Sequence, residues 1–430
     1  MKKLIKHIFI NLLSFFAQLI IKKHNPKVIA IVGNVGKTTT KDAIFQVLKN
    51  GNVRKSQKSF NGEIGVPLTI IGVDSPWRNP LKWVFVFLKA LFVLFSKKYP
   101  DTLILEIGTD HPGEIAKIST YIKPDILVLT ALPKVMVHSS NFSSREEQIK
   151  DKLSILKSLK DNAVIIYNLD DKEIEERLRT VKTHKLTYAS KRTADIEILK
   201  SEIAYKNDFP IGMLFEFKFK DDIFKLTTKE SLGYHIAYAL APAFLAGKLS
   251  GLKTYQILEN LVDFQTPNGR MRIIKGVNET IVIDDSYNSS PRALSVGLDI
   301  FNKLSCNGRK IAVLGDMREL GDESESEHKK AGVKVAGIAD ILLTIGEESK
   351  KLKDEALKSG MNKENVFEFG YNESQKAGNF LAGILKVGDC IFVKGSQNKI
   401  RTEKVVEAIM KNKDQASNVL VRQSRGWKLK

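Results

Sequence analysis

A short glycine-containing loop near the start of the chain has the residue types needed to hold a row of phosphates. The segment "VIAIVGNVGKTTTKDAI" (28–44) predicts a buried strand, a tight turn and then a helix. Its spacing is G-x-x-G-K-T-T, whereas the common phosphate loop G-x-x-x-x-G-K-[ST] would require a glycine at Ile31. Successive backbone N–H groups and a helix N-terminus bind phosphate oxygens. We therefore predict a nucleoside triphosphate site formed by Gly33, Asn34, Gly36, Lys37, Thr38 and Thr39.

The same loop predicts a magnesium site. The Lys37 ammonium would neutralise the β and γ oxygens, and the Thr38 hydroxyl would bind Mg²⁺. A second ligand is expected at the end of a neighbouring strand, and Glu106 closes the apolar run "TLILEIG" (102–108). A carboxylate at such a position is costly unless a cation meets it, so we predict that Glu106 shares the metal.

Composition places the chain among globular proteins. It has 430 residues, of which 43% are hydrophobic and 27% charged, enough for two or three domains. Cys306 and Cys390 lie far apart, which argues against a disulfide framework or a zinc site and favours a reducing cytosol. No nucleic-acid-binding module is visible, so DNA or RNA partners are not expected.

The net charge of +19 is unevenly distributed. Residues 1–60 contain twelve Lys and Arg against one acid, Asp42. This bias suits polyanionic ligands or an anionic membrane surface, and it equally suits a proteome rich in lysine.

Two segments are both apolar and basic, namely 1–24 and 80–100. The apolar part of the first, 8–21, is about 14 residues long, short of the roughly 20 that span a bilayer. No small-residue cleavage site follows it, so a cleaved signal peptide is not expected. We interpret both segments as amphipathic helices that either lie in a membrane interface or pack against each other and the core.

The order of apolar runs and helical patterns predicts two α/β domains. A helix at 1–25 precedes a central domain, 26–266, in which 74–100 is an apolar and basic insertion. Within that domain, alternation over 195–230 predicts antiparallel strands, and a helix follows at 234–248. The second domain covers 267–430. The expected parallel strands are 28–32, 102–108, 125–132, 163–171, 280–285, 310–316, 340–346 and 389–395.

Several motifs in a fixed order resemble the Mur ligase family, and within it the branch that adds D-alanyl-D-alanine to a muramoyl tripeptide. They are "SFNGEIGVPLTI" (59–70), "EIGTDHPGEI" (106–115), "IDDSYNSSPRAL" (283–294), "VLGDMRELGDES" (313–324) and "VKGS" (393–396). The resemblance runs over roughly 28–412. It implies a central P-loop-type ATPase domain with a mostly parallel sheet, and a C-terminal Rossmann-like domain. It also implies an ATP-dependent ligase of peptidoglycan precursor synthesis that works through an acyl phosphate.

The resemblance also implies roles for particular residues. In "VHSSNFSSREEQIKDKLSI" (137–155), His138 would bind a second Mg²⁺, and Lys152 would be the lysine that this family carbamylates to make a metal ligand. Lys37, Lys152 and His138 are thus the implied catalytic residues. The nucleotide would contact Arg270, Asp285, Tyr287 and Asn288, and the substrates would contact Asn61, Lys394 and Ser396.

The sequence departs from the family pattern in five places. Residues 1–25 are too few for the domain that grips the UDP-sugar, and 74–100 is an insertion. In "YHIAYALA" (234–241), His235 is retained while Ile236 and Ala239 replace amides. The remaining departures are Ala131, where the family has asparagine, and Gln397, where it has arginine.

These departures leave the acceptor open. The first hypothesis is a cytoplasmic ligase that uses ATP to join a D-Ala-D-Ala-type amine to a peptidoglycan precursor peptide. The second is a related ligase that acts on another or a lipid-linked carboxylate at the inner membrane face, with peripheral membrane association. The third is a membrane-tethered ATP-binding protein without ligase activity, against which the His138, Lys152 and Lys394 motifs argue. The sequence leaves the oligomeric state undetermined.

Overall fold

The computed structural model describes most of the chain and divides it into two compact units. The described residues are 2–56, 60–76, 79–132, 141–424 and 427. The first unit comprises 1–201, 215–226 and 235–264, and the second comprises 202–214, 227–234 and 265–430.

Parallel strands form the centre of the first unit. Strand β1 pairs with β3 on one side and β4 on the other, and parallel pairing continues from β4 through β5 and β6 to β7. Strand β2 forms the opposite edge beside β3. These strands are β1 (Lys27–Val32), β2 (Val53–Lys55), β3 (Thr102–Glu106), β4 (Ile126–Leu129), β5 (Val164–Asn168), β6 (His184–Ala189) and β7 (Ile196–Lys206).

Two hairpins extend this sheet to nine strands in the order β2-β3-β1-β4-β5-β6-β7-β8-β9. The added strands are β8 (Phe209–Phe219) and β9 (Asp222–Thr227). The turn between β7 and β8 consists of Asn207 and Asp208, both with positive φ, as a two-residue hairpin turn requires. The antiparallel strands predicted from the alternation over 195–230 are therefore present.

Nine helices are described for this part of the chain: α1 (Lys2–His24), α2 (Lys37–Val47), α3 (Gly65–Ile71), α4 (Pro80–Phe95), α5 (Glu114–Ile118), α6 (Arg145–Leu153), α7 (Lys172–Leu178), α8 (Ala237–Leu249) and α9 (Thr254–Leu261). Side chains from α1, α3 and α4 share one hydrophobic core with strands β1, β3 and β4. Both apolar and basic segments of the sequence therefore pack onto the first unit as helices. No helix in the described residues has the length and apolarity needed to cross a membrane.

The second unit has a six-stranded sheet in the order β10-β11-β15-β12-β13-β14. Only β10 runs antiparallel, and the other neighbours are parallel. The strands are β10 (Arg272–Lys275), β11 (Ile281–Asp285), β12 (Lys310–Gly315), β13 (Ile341–Ile345), β14 (Val366–Phe369) and β15 (Cys390–Lys394). The helices are α10 (Pro291–Lys303), α11 (Ser324–Ala336), α12 (Ser349–Lys358), α13 (Ser374–Ile384), α14 (Glu403–Ile409) and α15 (Ala416–Val419). The predicted α/β class with mostly parallel sheets is confirmed.

Candidate active site

The glycine loop joins β1 to α2 in the first unit, as its sequence predicts. Gly36 has φ 86° and immediately precedes α2, so the N–H groups of the first helical turn, which have no acceptor within the helix itself, begin at Lys37. Gly33 also has positive φ, and a Cβ there would lie 2.1 Å from Thr130 Oγ1. The Lys37 ammonium donates to the Gly33 carbonyl at 2.9 Å and folds back over the loop. The loop thus combines helix N–H donors with a cation, the arrangement that binds phosphate.

Glu106 lies at the end of β3, next to the strand that leads into this loop. It is buried, and its Oε2 is 3.8 Å from Nζ of Lys41, a fully buried lysine on α2. Asn61 donates its side-chain N–H to Glu106 Oε1 at 3.4 Å. Lys41 therefore supplies a cation to this buried carboxylate from within the protein. That Glu106 also binds Mg²⁺ stays a prediction.

Two buried polar groups in this region are suited to an external ligand. Glu106 Oε2 accepts no hydrogen bond from the described residues, although it forms the ion pair with Lys41. Both polar atoms of the Asn34 side chain are likewise buried without a hydrogen-bond partner among the described residues. Buried polar atoms are normally satisfied. Carboxylate and hydroxyl oxygens are the ligands that Mg²⁺ prefers, so Glu106 and Thr38 fit a magnesium nucleotide at this loop.

Lys152, on the last turn of α6, is buried and lies within electrostatic range of Lys37. Burial and, to a lesser extent, the like charge of Lys37 lower the pKa of Lys152 to about 8, while Asp151 and Asp110 oppose the change. Asp151 Oδ1 accepts the Gly113 N–H at 2.8 Å and so ties α6 to the loop that follows β3. The structure therefore brings Lys152 toward the phosphate loop, about 115 residues away in sequence.

The remaining residue of this predicted group, His138, lies outside the described residues. Within the described part of the chain, no group of three or more His, Cys, Asp or Glu side chains could hold a metal ion. The predicted ligands Thr38, Glu106 and Lys152 include only one residue of those types, so this finding does not bear on them.

A second cluster lies at the carboxyl ends of strands β11 and β15 in the second unit. Asp285 and Lys394 are register partners, and Lys394 Nζ is 2.5 Å from Asp285 Oδ2. Lys394 also donates to the Asn288 carbonyl at 2.9 Å. Ligands of open α/β sheets bind at this end of the strands.

Arg270 and Tyr287 lie together in the second unit. The Arg270 guanidinium is 4.4 Å from the Tyr287 ring centroid, and the Tyr287 N–H donates to the Gly269 carbonyl. A Cβ at Gly269 would approach the Tyr287 nitrogen to 2.9 Å, so the two backbones can meet only because this residue is glycine. The predicted nucleotide residues Arg270, Asp285, Tyr287 and Asn288 are thus held in the same unit by direct contacts.

Ser396 contacts two residues, Asp316 and Arg318, that line a cavity of about 490 Å³ in the second unit. The Arg318 N–H donates to Ser396 Oγ at 3.2 Å, and Ser396 N–H donates to the Asp316 carbonyl. The cavity is lined mainly by charged and polar residues: Asp316, Arg318, Glu319, Asp322, Glu325, Glu348, Lys351 and Tyr371, with Met317, Leu320, Gly321 and Ser324.

Sequence reasoning missed two features of these sites. One is Lys41, whose position four residues after Lys37 on a helix places both on one face and was a usable signal. The other is the buried Glu403, which pairs with Arg401 at 3.0 Å and Arg422 at 3.1 Å. Arg422 also donates to the Ser286 carbonyl and so supports the loop that carries Tyr287. Nothing local in the sequence links Arg422 to that loop.

Comparison with known protein families gives two matches that together span most of the chain. Residues 31–246 match the Mur ligase middle domain, and residues 269–397 match the Mur ligase, glutamate ligase domain.

Similar proteins include the UDP-N-acetylmuramoyl-tripeptide–D-alanyl-D-alanine ligases of Bacillus subtilis and Escherichia coli. The first is 27% identical over 388 residues, which is 90% of this chain and 76% of the relative. The second is 26% identical over 333 residues, 75% of this chain and 65% of the relative.

Solved structures of similar fold include the MurF ligase from Thermotoga maritima in complex with ADP. Its TM-score is 0.73 at 23% identity, with coverage of 93% of this chain and 83% of that one. A crystal structure of MurF from Acinetobacter baumannii gives a TM-score of 0.75 at 21% identity, with coverage of 93% and 80%. At these identities the likeness establishes the fold.

Proposed function

Because the chain belongs to the Mur ligase family, we propose that it is an ATP-dependent ligase that adds D-alanyl-D-alanine to a muramoyl tripeptide. The observation that carries the proposal is that the glycine loop before α2, the buried Glu106 and the buried Lys152 all lie in the first unit. An ATP-binding protein without ligase activity has no need of Lys152 or of the Lys394 cluster. The relatives named after this reaction support the choice of substrates.

In the proposed reaction, a carboxylate oxygen of the acceptor attacks the γ-phosphorus of ATP, and ADP leaves. The amine of D-Ala-D-Ala then attacks the acyl phosphate carbonyl, loses a proton and expels phosphate to leave the amide. The loop N–H groups and Lys37 hold the phosphate chain and offset the negative charge of the transferring group. Mg²⁺ bound by Thr38 and Glu106 would add further neutralisation of the phosphate oxygens.

We propose that Lys152 is carbamylated and that His138 is a ligand of the second metal. Carbamylation needs a neutral amine, which attacks CO₂, forms an N–C bond and releases a proton. With a pKa of about 8, about one tenth of Lys152 is neutral at pH 7, against about 0.04% of an ordinary lysine. The product would replace a buried cation beside Lys37 with an anion, which the local charge favours.

The second unit is proposed to hold the remaining groups. Residues 26–266 would form the ATP-binding domain, and 267–430 would supply Arg270, Asp285, Tyr287 and Asn288 to the nucleotide. Lys394, held by Asp285, and Ser396 would contact the dipeptide or the acyl phosphate. Asn61, which already contacts Glu106, would reach the acceptor.

The cavity beside Ser396 is our candidate site for the incoming dipeptide. D-Ala-D-Ala carries an ammonium group at one end and a carboxylate at the other. The cavity lining offers several carboxylates for the first, and Arg318 and Lys351 for the second.

We infer a cytoplasmic location because the reaction consumes ATP, and the acceptor in this proposal is a cytoplasmic peptidoglycan precursor. A second candidate function is the same chemistry on a lipid-linked carboxylate at the inner membrane face. One observation favours it, the large exposed apolar side chains on α1 and α4.

The test is phosphate release from Mg-ATP and D-Ala-D-Ala with the UDP-linked muramoyl tripeptide or its lipid-linked form. Turnover on the UDP-linked acceptor that falls roughly 10³-fold in Lys37→Ala would support the first proposal. Lys330→Ala, which removes an exposed lysine of α11, is the matched control and should retain full activity. Turnover on the lipid-linked form alone would support the second candidate. If neither acceptor gives phosphate release, both proposals are contradicted.

A further inference from the structure

An exposed apolar surface on helices α1 and α4 takes no part in the bond-forming steps of the proposed ligase reaction. On α4 the exposed side chains recur at three- and four-residue intervals, as one face of a helix does. Ten of the twenty large apolar side chains that are exposed in the described residues belong to these two helices, so the surface is a concentrated patch. We call it the α1–α4 face: Ile8, Leu12, Phe15, Leu81, Val84, Phe85, Leu88, Leu91, Phe92 and Phe95.

The two helices present their exposed sides in the same direction. Leu13 and Ala17 of α1, and Val86 and Ala90 of α4, are buried in the core of the first unit. The helices also touch side by side, with the Phe9 ring 5.7 Å from Trp83, the Phe16 ring 6.1 Å from Phe87 and the Lys23 ammonium 5.9 Å from the Phe95 ring. Neighbouring helices that bury one side in a common core turn their opposite sides outward together. The α1–α4 face is therefore one continuous surface.

The charged residues of the two helices themselves have a single sign. Residues 1–41 and 75–100 contain no Asp or Glu. Lys82, Lys97 and Lys98 are exposed at the two ends of α4, and the Lys89 ammonium lies 4.9 Å from the Phe92 ring. A lysine whose stem follows an apolar surface can place its ammonium at the level of lipid headgroups while the rings enter the acyl region.

We propose that the α1–α4 face is a docking surface for an anionic phospholipid bilayer, with both helices lying in the plane of the interface. The 16 residues of α4 span about 24 Å, which suits a helix lying along the interface better than one crossing a hydrocarbon core of about 30 Å. Pairing with a second copy would bring the two lysine rims together, whereas an anionic bilayer complements them. The proposal is independent of the ligase chemistry, since lipid binding requires no substrate.

The experiment is flotation of the full chain with vesicles of phosphatidylglycerol mixed with phosphatidylcholine, beside vesicles of phosphatidylcholine alone. We expect binding to the anionic vesicles that weakens as salt rises from about 0.1 M to about 0.5 M. Phe85→Ser/Phe92→Ser should weaken binding by about tenfold or more. Lys82→Glu/Lys97→Glu should weaken it by at least about fivefold for each lysine removed.

Matched controls come from the second unit. Val333→Ser/Val387→Ser removes two exposed apolar side chains, and Lys330→Glu/Lys376→Glu reverses two exposed lysines. Both should bind vesicles as the unaltered chain does, and melting temperatures should show that every variant is folded. Absence of vesicle binding, or equal binding by Phe85→Ser/Phe92→Ser, would overturn the proposal. The proposal would also be overturned if light scattering shows that the unaltered chain is a dimer, that Phe85→Ser/Phe92→Ser dissociates it, and vesicles are not bound. Phosphate release without vesicles reports on the ligase separately.

Discussion

The two units each bury a lysine at a predicted site, and the two lysines are in opposite electrostatic situations. Lys394 is 2% exposed and has an Asp285 carboxylate oxygen 2.5 Å from its ammonium. Lys152 is 3% exposed, and its pKa is lowered to about 8 by burial and by the like charge of Lys37. The protein itself neutralises the first cation, whereas the environment of the second favours the loss of its charge.

This difference separates structural from chemical roles. A buried ion pair is part of the folded state, so removing one partner leaves the other charge stranded. A buried cation beside another cation opposes folding, and such an arrangement is typical of functional sites. We therefore expect substitutions of Lys394 to act on stability as well as on turnover, and substitutions of Lys152 to act on turnover alone.

The largest effect is expected from Lys394→Met. It leaves Asp285 buried without its cation and should destabilise the second unit by roughly 3–5 kcal/mol. The measurement is urea-induced unfolding, monitored through hydrogen exchange of the β15 amides. Lys394→Met/Asp285→Leu should recover much of the loss, because no unpaired charge remains. If the single and double variants are equally destabilised, the ion pair is not the cause.

The next effect is that of Lys152→Met on catalysis. Turnover should fall by roughly 10²-fold, as for the loss of a group that organises a metal site. In CO₂-depleted buffer, where Lys152 is an unmodified amine, the melting temperature should stay the same or rise because a buried cation is removed. If Lys152 is carbamylated, removing dissolved CO₂ should lower the turnover of the unaltered chain, and bicarbonate should restore it. A large drop in melting temperature would mean that Lys152 stabilises the fold, as Lys394 is expected to do.

A smaller effect compares the two glycines of the phosphate loop. Gly33→Ala places a Cβ 2.1 Å from Thr130 Oγ1, whereas a Cβ at Gly36 meets nothing within 4 Å and strains only its positive φ. Gly36→Ala should weaken ADP binding about fivefold to thirtyfold, the cost of one residue in the left-handed region. Gly33→Ala should weaken binding further, as titration calorimetry would show. Equal losses would mean that backbone strain alone determines the effect.

The strands predicted from sequence and those missed differ in where they lie in the sheets. Central strands such as β1 and β15 are buried on both faces, so they appear as continuous apolar runs. Three of the missed strands, β2, β10 and β14, lie at sheet edges. Each is only three or four residues long and includes at least one charged residue. The fourth, β6, is half-exposed along most of its length. Short, partly exposed strands carry too little pattern to be identified.

The candidate site divides in a similar way. Lys37 and Thr38 could be predicted from local spacing, and Glu106 from the cost of its burial. Lys152 and Lys394 required the family resemblance, because contacts between distant strands and helices leave no local pattern. The pairing of Glu403 with Arg422 was missed for the same reason.

The smallest expected effect concerns Asp284, the fully buried neighbour of Asp285 in β11. Burial raises the pKa of Asp284 to about 6, although the hydrogen bond from the Ser286 N–H acts to lower this pKa. The folded state therefore binds the proton more tightly than the unfolded chain, whose aspartates titrate near 3.9. The destabilising contribution of ionised Asp284 is fully present above pH 6 and is relieved as the pH falls through that value.

Asp284→Asn removes this charge while an amide oxygen can still accept from Ser286. It should raise the melting temperature by about 2–4 °C at pH 8, equivalent to about 1 kcal/mol, and by less at pH 5, where Asp284 is largely protonated in the fold. Scanning calorimetry at the two pH values measures the difference. An Asp284→Asn gain that is the same at both pH values would mean that side-chain size, and not charge, sets the cost. A loss at pH 8 would mean that the carboxylate stabilises the unit as Asp285 does, so that both acids of β11 compensate cations.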